Sequence, residues 1–225
     1  MLPGLLEYRI GDCGVVLADI PPNSVPLILT DPPYGDAAKP LYEWLAQWAS
    51  RVLIPGGSLI CFTGQSRLNR DMRIFGEHLK YWWLLTMKHG RSQRLPGKFV
   101  IAGHKPVLWY VKDFRRGEEF VSDLLISPHR NKQEHPWGQG TGGVDQLIEV
   151  LTSRGELIVD PFAGTGYWGI IATSMGREWI GADLAPGGGV LMQQPRRDIK
   201  HAGSVVGSQR QGEGAKTAPE EKALR

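Results

Sequence analysis

The sequence has few cysteines, no long apolar run and no strong excess of charge. Cys13 and Cys61 are the only two cysteines, too few and too far apart for a disulfide framework or a zinc cluster, so no metal site is expected. No apolar run approaches the roughly 20 residues that a membrane-spanning helix needs. The first residues lack the basic start and apolar stretch of a secretion signal. These absences favour a cytoplasmic protein without a membrane partner.

The charge balance is only mildly basic. A net charge of +3 over 225 residues is compatible with a phosphate-rich partner but does not by itself indicate one. The composition, 41% hydrophobic and 22% charged, is that of an ordinary globular domain. An argument for nucleic acid must therefore come from motifs.

Short apolar runs alternate with amphipathic stretches, and Gly or Pro separates them. The pattern predicts strands at residues 25–29, 58–62, 81–87, 106–111, 156–159 and 178–182, and helices at 41–52, 67–78, 144–151 and 167–174. This alternation predicts an α/β fold, in which a mostly parallel sheet carries helices on both faces. Residues 186–225 are rich in Gly, Gln, Ser and charged side chains, and we expect them to form a disordered tail.

A carboxylate, two prolines and an aromatic residue follow the first predicted strand directly. Each proline fixes its own φ and favours an extended conformation in the residue before it, so Asp31-Pro32-Pro33-Tyr34 predicts a stiff loop at the carboxyl end of a strand. The Asp31 carboxylate and the Pro32 carbonyl can each accept one N–H of an exocyclic amine, which frees the lone pair that a base ring delocalises. Tyr34 offers a ring on which an extruded base can stack. An ordinary turn is the alternative.

A glycine-rich turn joins a later predicted strand to the helix that follows. Its residues are Asp160-Pro161-Phe162-Ala163-Gly164-Thr165-Gly166. Glycines let a ligand approach the backbone, and the helix N-terminus presents free N–H groups. The turn has neither the lysine of a P-loop nor the G-x-G-x-x-G spacing, so a nucleoside with an amino-acid arm fits better than a polyphosphate. Asp183 ends the next strand, where a carboxylate can bind ribose hydroxyls. A plain strand-to-helix turn remains the alternative.

The two motifs, in this order, resemble the amino-methyltransferases of DNA, in the circularly permuted group called β. In that family a D-P-P-Y loop is catalytic and a D-P-F-x-G-x-G loop binds S-adenosylmethionine. The likeness covers roughly residues 8–185 and extends to Gly11-Asp12-Cys13 and His104-Lys105-Pro106. It implies a Rossmann-like, S-adenosylmethionine-dependent methyltransferase fold.

The resemblance also implies roles for individual residues. The catalytic loop would consist of Asp31, Pro32, Pro33 and Tyr34. The cofactor would be bound by Asp12, Asp160, Pro161, Phe162, Ala163, Gly164, Thr165, Gly166 and Asp183, of which Asp183 holds the ribose. For Asp12, a turn residue before Cys13 is the alternative. The aspartate-first loop favours adenine N6 over cytosine N4 as the methylated atom.

A basic segment lies between two apolar runs. Residues 88–98 read as a polar loop, and we expect Lys88, Arg91, Arg94 and Lys98 to contact double-stranded DNA through its phosphates or guanine edges. A solvated surface loop is the alternative. The segment falls in a small target-recognition insertion, around residues 86–135, within a methyltransferase domain of residues 1–185.

Three functions are open at this point. The first is a DNA adenine N6-methyltransferase, acting as a monomer or homodimer. The second is a cytosine N4 or RNA amino-methyltransferase with the same architecture. The third is a protein that binds cofactor or DNA without turnover, and the intact Asp31-Pro32-Pro33-Tyr34 loop argues against it.

Overall fold

Strands and helices alternate through most of the chain. The computed structural model describes residues 5–126 and 143–185; the predicted tail at 186–225 and residues 127–135 of the predicted insertion lie outside the described residues. The strands are β1 (Leu6–Ile10), β2 (Val25–Thr30), β3 (Leu53–Phe62), β4 (Lys80–Leu95), β5 (Val100–Val111), β6 (Leu124–Ile126), β7 (Leu157–Asp160) and β8 (Glu178–Asp183). The helices are α1 (Cys13–Val16), α2 (Lys39–Val52), α3 (Leu68–Gly76), α4 (Val144–Leu151) and α5 (Tyr167–Ser174). The sequence pattern did not predict β1, α1 and β6, which are short.

The described strands form one eight-stranded sheet in the order β1-β8-β7-β2-β3-β5-β4-β6. The first five strands run parallel, β5 is antiparallel to β3 and β4, and β6 is parallel to β4. The connection from β2 through α2 to β3 moves one way across the sheet, and the connection from β7 through α5 to β8 moves the opposite way. The strand order therefore reverses between β2 and β7, the place where open α/β sheets bind their ligands.

Helices cover both faces of the sheet because its central strands are apolar on both sides. Along β3, Leu59 belongs to one buried cluster and Ile60 to the other. Leu45 of α2 and Phe75 of α3 pack into the first cluster, and Leu147 of α4 packs into the second. This arrangement confirms the predicted α/β class. Within the described residues, no helix is both long enough and apolar enough to cross a membrane.

Two glycines make room for Trp179 beneath the glycine-rich turn. A Cβ atom on Gly169 of α5 would lie 2.6 Å from the Trp179 ring. A Cβ atom on Gly181 would lie 2.0 Å from the same ring and 2.8 Å from Cβ of Ala163. Trp179 is fully buried, so its ring has little freedom to move away. The ring thus sets the spacing between α5, which follows the turn in the chain, and β8, which lies beside the turn.

The basic segment is part of a β-hairpin, and the prediction of a loop over residues 88–98 was wrong. β4 continues to Leu95 and β5 starts at Val100, with Lys88 opposite His104 and Arg94 opposite Ile101. Backbone pairing with β5 keeps β4 extended although its side chains here are polar. Apolar periodicity reports burial and not pairing, so it cannot detect a polar strand that is held by backbone hydrogen bonds.

Candidate active site

A cavity of about 370 Å³ lies where the strand order reverses. Most of its walls are formed by residues at the carboxyl ends of β1, β2, β7 and β8, and α2 contributes one side chain. The lining residues are Gly11, Asp12, Cys13, Asp31, Pro32, Pro33, Tyr34, Leu41, Pro161, Phe162, Gly164, Asp183 and Leu184. The structure therefore brings the Asp31 loop and the glycine-rich turn to one cavity, although about 130 residues separate them in the chain.

The Asp31 carboxylate is held from two sides. Its Oδ2 atom lies 2.6 Å from the Lys105 ammonium, and its Oδ1 atom accepts a hydrogen bond from the Tyr34 hydroxyl. Burial, followed by the charge of Asp31, raises the pKa of Tyr34 well above its usual range, so the phenol remains a donor at neutral pH. Half of Tyr34 is still exposed, which leaves part of its ring open to a ligand.

Asp160 lies behind the cavity wall and does not line it. It is 2% exposed, and its Oδ1 atom accepts hydrogen bonds from Thr30 Oγ1 at 2.7 Å and from the Phe162 N–H at 3.1 Å. Its pKa is raised to about 7, mainly by burial and also by the charges of Asp31 and Asp183, against the lowering effect of the two hydrogen bonds. Since Thr30 precedes Asp31 directly, Asp160 ties the strand of the Asp31 loop to the strand of the glycine-rich turn.

The glycine-rich turn is closed by backbone hydrogen bonds. The Ala163 N–H donates to the Ala182 carbonyl and the Gly166 N–H to the Ala163 carbonyl, both at 2.8 Å. Gly164 and Gly166 have φ values of +52° and +72°, a region that side chains other than glycine rarely enter. Pro161, Phe162 and Gly164 line the cavity, whereas Ala163, Thr165 and Gly166 are not among its lining residues. These last three shape the turn.

Asp183 and Tyr8 hold the Gly164 peptide from opposite ends. The Gly164 N–H donates to Asp183 Oδ2 at 2.8 Å, and the Tyr8 hydroxyl donates to the Gly164 carbonyl at 2.7 Å. Burial first, then the charges of Asp183 and Asp160, raise the pKa of Tyr8 to about 12, so this donor keeps its proton. Asp183 lines the cavity while it supports the turn, and a carboxylate oxygen retains further lone pairs for a ligand hydroxyl.

Asp12 caps a short helix and also faces the cavity, so its position is compatible with both of the roles that the sequence left open for it. It caps α1, where its Oδ1 atom accepts the Gly14 N–H at 2.8 Å, and it also lines the cavity. The short helix α1 thereby fixes the direction of the carboxylate. Asp12 stands at the end of β1, beside Asp183 at the end of β8, because these strands pair in parallel with Ile10 opposite Asp183.

The walls suit a cationic nucleoside better than a polyphosphate. Asp12, Asp31 and Asp183 supply three carboxylates, and the described lining residues include no Lys or Arg. Negative walls attract positive charge and repel phosphate. Phe162, supported edge-on by Trp44 at a ring-centroid distance of 6.3 Å, offers apolar surface to a flat ring. The residues present therefore fit the predicted cofactor. The volume of the cavity also falls within the range of small-molecule sites, roughly 300 Å³ or more.

Lys105 is a residue of this site that the sequence reasoning did not identify. The motif His104-Lys105-Pro106 was part of the family likeness, but nothing in it assigned a contact. β5 runs antiparallel to β3, and this pairing brings Lys105 towards the carboxyl end of β2. Its ammonium lies 4.7 Å from the centre of the Tyr34 ring and 5.3 Å from that of Phe62. The signal was the strand partnership, which a single sequence does not reveal.

A second cavity, of about 390 Å³, shares the Tyr34 side chain with the first. Its walls are more polar, and they are formed by Tyr34, Gly35, Tyr42, Gly64, Gln65, Ser66, Arg67 and Asp71. Asp71 is buried and accepts hydrogen bonds from Thr63 Oγ1 at 2.6 Å and from Arg70 Nε at 2.8 Å. Across the parts of the chain that the structure describes, no three His, Cys, Asp or Glu side chains are grouped as a metal site.

The predicted DNA-contacting residues lie on the β4–β5 hairpin. Lys88, Arg94 and Lys98 are exposed, and the side chain of Arg91 lies outside what the structure describes. The hairpin begins close to the cavity, because Lys88 stands opposite His104, the neighbour of Lys105. The structure thus places exposed cations on the same ribbon that supplies the ammonium beside Asp31.

Sequence comparisons relate the chain to DNA methylases. The family model described as a DNA methylase (N6_N4_Mtase) matches residues 125–187, which include the glycine-rich turn and Asp183. A protein of Escherichia coli (strain K12) named as a methylase, YubD, is 28% identical over 198 residues, 77% of this chain and 82% of that protein. The type II methyltransferase M.BamHI of Bacillus amyloliquefaciens is 23% identical over 230 residues, and this chain spans about half (53%) of its length.

Solved structures share the fold. The M1.HpyAVI–SAM complex superposes with a TM-score of 0.65 at 20% identity, over 84% of this chain and 99% of that one. The PvuII DNA methyltransferase, described as cytosine-N4-specific, gives a TM-score of 0.69 at 18% identity, over 87% and 92% of the two chains. The chain is thus similar in sequence to N6/N4 DNA methylases, over residues 125–187 for the family model, and it shares the Rossmann-like fold of these solved structures.

Proposed function

We propose that this chain transfers a methyl group from S-adenosylmethionine to the exocyclic amino group of a base in DNA, with adenine N6 as the target. The observation that carries the proposal is the shared cavity, in which the Asp31 loop and the glycine-rich turn face each other. One motif suits an amine and the other a nucleoside, so a single cavity that contains both matches a transfer between them.

S-adenosylmethionine supplies, when bound, a methyl group on a positively charged sulfur, which becomes a neutral thioether once the methyl carbon has bonded to nitrogen. In this proposal Asp183 holds the ribose, and Asp12 contacts the adenine end of the cofactor. Asp31 accepts one N–H of the target amine and the Pro32 carbonyl accepts the other, which moves the nitrogen lone pair out of conjugation. After transfer the nitrogen carries one proton too many, and Asp31 is the group beside it that can take this proton.

In this proposal the target base leaves the duplex before it reaches the cavity. Its amine can reach Asp31 only if the nucleotide is swung out of the stack, since the loop lies at the edge of a cavity in the protein. The half-exposed ring of Tyr34 offers a stacking surface, worth about 1–3 kcal/mol per base. Lys88, Arg94 and Lys98 on the hairpin, together with Arg91, would contact phosphates or base edges.

Adenine N6 and cytosine N4 pose the same chemical problem, and the aspartate-first loop is the argument for adenine. The fold likeness to the PvuII enzyme, described as cytosine-N4-specific, keeps cytosine N4 as the second candidate. The choice between them depends on the shape of the pocket around the ring and not on the amine.

The test is labelled methyl transfer followed by nucleoside analysis. The purified protein is incubated with methyl-labelled S-adenosylmethionine and either unmethylated genomic DNA or total RNA, and the digested products are separated. N6-methyladenine in DNA is the expected result. If N4-methylcytosine forms instead, the reaction stands and cytosine is the target base. If only RNA is labelled, the substrate is RNA and not DNA.

A protein that binds S-adenosylmethionine but labels neither polymer would refute the transfer reaction. The Asp31→Ala variant is the matched inactive control, because it removes the carboxylate and leaves the glycine-rich turn intact. Transfer by this variant at the wild-type rate would contradict the role proposed for Asp31.

A further inference from the structure

Lys105 makes three contacts, and each of them involves the Asp31 loop or the strand beside it. Its ammonium lies 2.6 Å from Asp31 Oδ2, 4.7 Å from the centre of the Tyr34 ring and 5.3 Å from that of Phe62. The Lys105 side chain is 15% exposed, so most of its length is packed. A cation in this position touches both the group that accepts the target amine and the ring that stacks on the base.

We propose that Lys105 is a positioning residue for methyl transfer, one that fixes the direction of the Asp31 carboxylate and supports the Tyr34 ring. This inference rests on the proposed function. A carboxylate has about four lone-pair positions, two on each oxygen. Lys105 occupies one on Oδ2 and the Tyr34 hydroxyl occupies one on Oδ1, so each oxygen keeps a position for the target N–H.

Stability alone does not account for this lysine. The side chains of the pair are 15% and 36% exposed, so water still weakens their attraction and the pair contributes only modestly to folding. Packing the four methylene groups of Lys105 also costs side-chain entropy, which offsets the attraction of the ion pair. The net contribution to folding is therefore small, and the position of the ammonium matters more for the loop than for the fold.

Cofactor binding does not account for it either. The cavity is lined by three carboxylates that favour a sulfonium, whereas an ammonium next to the cavity opposes one. A lysine selected for cofactor affinity would not stand beside Asp31. We therefore expect loss of the charge to lower the turnover number and to leave cofactor affinity unchanged or slightly improved.

The experiment compares Lys105→Met with wild type and with Lys39→Met. Methionine keeps most of the packed stem and removes the charge. Lys39 is a matched control, because it forms an exposed i,i+4 pair with Glu43 on α2. For Lys105→Met, kcat for DNA methylation should fall about 10- to 100-fold, since a displacement of the reacting groups by 1 Å can cost this much. The cofactor Kd, measured by calorimetry, should stay within about threefold of wild type, because Lys105 does not contribute to cofactor binding.

Chemical rescue separates a missing ammonium from a damaged fold. Lys105→Ala should regain activity in ethylammonium chloride, relative to sodium chloride at equal ionic strength, because the small cation can occupy the vacated position beside Asp31. Lys105→Arg keeps a charge but moves the donors, and we expect intermediate turnover. If the methionine and alanine variants fold poorly, the arginine variant provides the test. At a thermal stability equal to that of wild type, its kcat should still be lower.

Each outcome decides something different. A wild-type protein without transfer activity would overturn the proposed function before Lys105 is considered. An active wild type with Lys105→Met turning over within twofold of it, or faster, would overturn the inference. A loss that follows the folded fraction, without rescue by ethylammonium and with wild-type turnover by Lys105→Arg, would make Lys105 a purely structural residue.

Discussion

The parallel and antiparallel halves of the sheet differ in how deeply their strands are buried. In the parallel half, β2 has six buried residues out of six, and both β7, which pairs with it, and β8, which pairs with β7, are largely buried. In the antiparallel half, β5 is buried over Pro106–Val111 but exposed or half-exposed from Val100 to Lys105. The parallel half therefore owes its geometry to packing on both faces, and the far part of the β4–β5 ribbon owes its geometry to backbone pairing.

The difference suits the two halves to different roles: the buried half to the methyl transfer and the exposed ribbon to contact with the nucleic acid. Loops at the ends of buried strands are held to within small displacements, which an aligned amine and methyl donor require. An exposed ribbon can carry cations at low cost and follow the shape of a nucleic acid. Lys105 stands at the junction, where β5 passes from its buried part to its exposed part. Five variants test this division, from the largest expected effect to the smallest.

Asp31→Ala should have the largest effect, because it removes the acceptor of the target N–H from the rigid half. We expect kcat for DNA methylation to fall at least about 100-fold, within the range seen for positioned acid–base groups. Cofactor affinity should stay near the wild-type value. Asp19→Ala, which removes an exposed carboxylate paired with Arg9, is the matched control. Turnover by Asp31→Ala similar to that of Asp19→Ala would remove Asp31 from its proposed role.

Asp183→Ala should weaken S-adenosylmethionine binding about 10- to 100-fold, which corresponds to one or two hydrogen bonds to a charged group, about 1.5–3 kcal/mol. The variant loses the ribose acceptor and also the partner of the Gly164 N–H. Calorimetric titration with the cofactor measures the change. Asp183→Asn keeps an acceptor for Gly164 and should lose less. An unchanged Kd in both variants would refute the ribose assignment.

Gly169→Ala should lower the free energy of unfolding by roughly 1–3 kcal/mol, the usual cost of overpacking a core. The added methyl group would meet the buried Trp179 ring at 2.6 Å. Gly97→Ala in the hairpin turn is the control, because a Cβ atom there meets nothing within 4 Å. Urea denaturation of both variants measures the difference. Equal stabilities would mean that the parallel half is not more tightly packed than the ribbon.

Asp160→Asn should change how stability depends on pH. The pKa of Asp160 is about 7 in the folded protein and lies near 3.8 without its surroundings, so the folded state holds a proton that the unfolded state releases. Stability should therefore fall as pH rises from about 4 to about 7, by up to about 1.4 kcal/mol per pH unit from this group. The asparagine variant keeps the acceptor for Thr30 and lacks this slope. Identical slopes in both proteins would show that Asp160 is ionised at neutral pH.

Replacing Lys88, Arg94 and Lys98 together with glutamine should have the smallest effect on the protein itself. DNA affinity should fall, and the slope of log K against log salt concentration should become shallower by about 0.9 for each phosphate that the variant no longer neutralises. Stability and cofactor binding should remain within about 0.5 kcal/mol, as for most surface substitutions. Fluorescence anisotropy with a labelled duplex at several salt concentrations measures the slope. An unchanged slope would leave the hairpin without a role in DNA binding.

The sequence alone was sufficient for the features that depend on neighbours in the chain. The apolar run that forms β2 and the prolines after it predict a strand followed by a loop at Asp31, and the structure has both. The small residues after β7 predict the turn into α5. Local periodicity and backbone restriction act over a few residues, so they are visible in one sequence.

Tertiary structure decided which of these residues meet. It placed Asp160 behind the cavity wall, bonded to Thr30, and it brought Lys105 to Asp31 across 74 positions of the chain. It also extended a polar segment into a β-hairpin through pairing with β5. Strand order, register and burial arise from contacts between distant segments, and no local pattern in the sequence encodes which strand becomes whose neighbour.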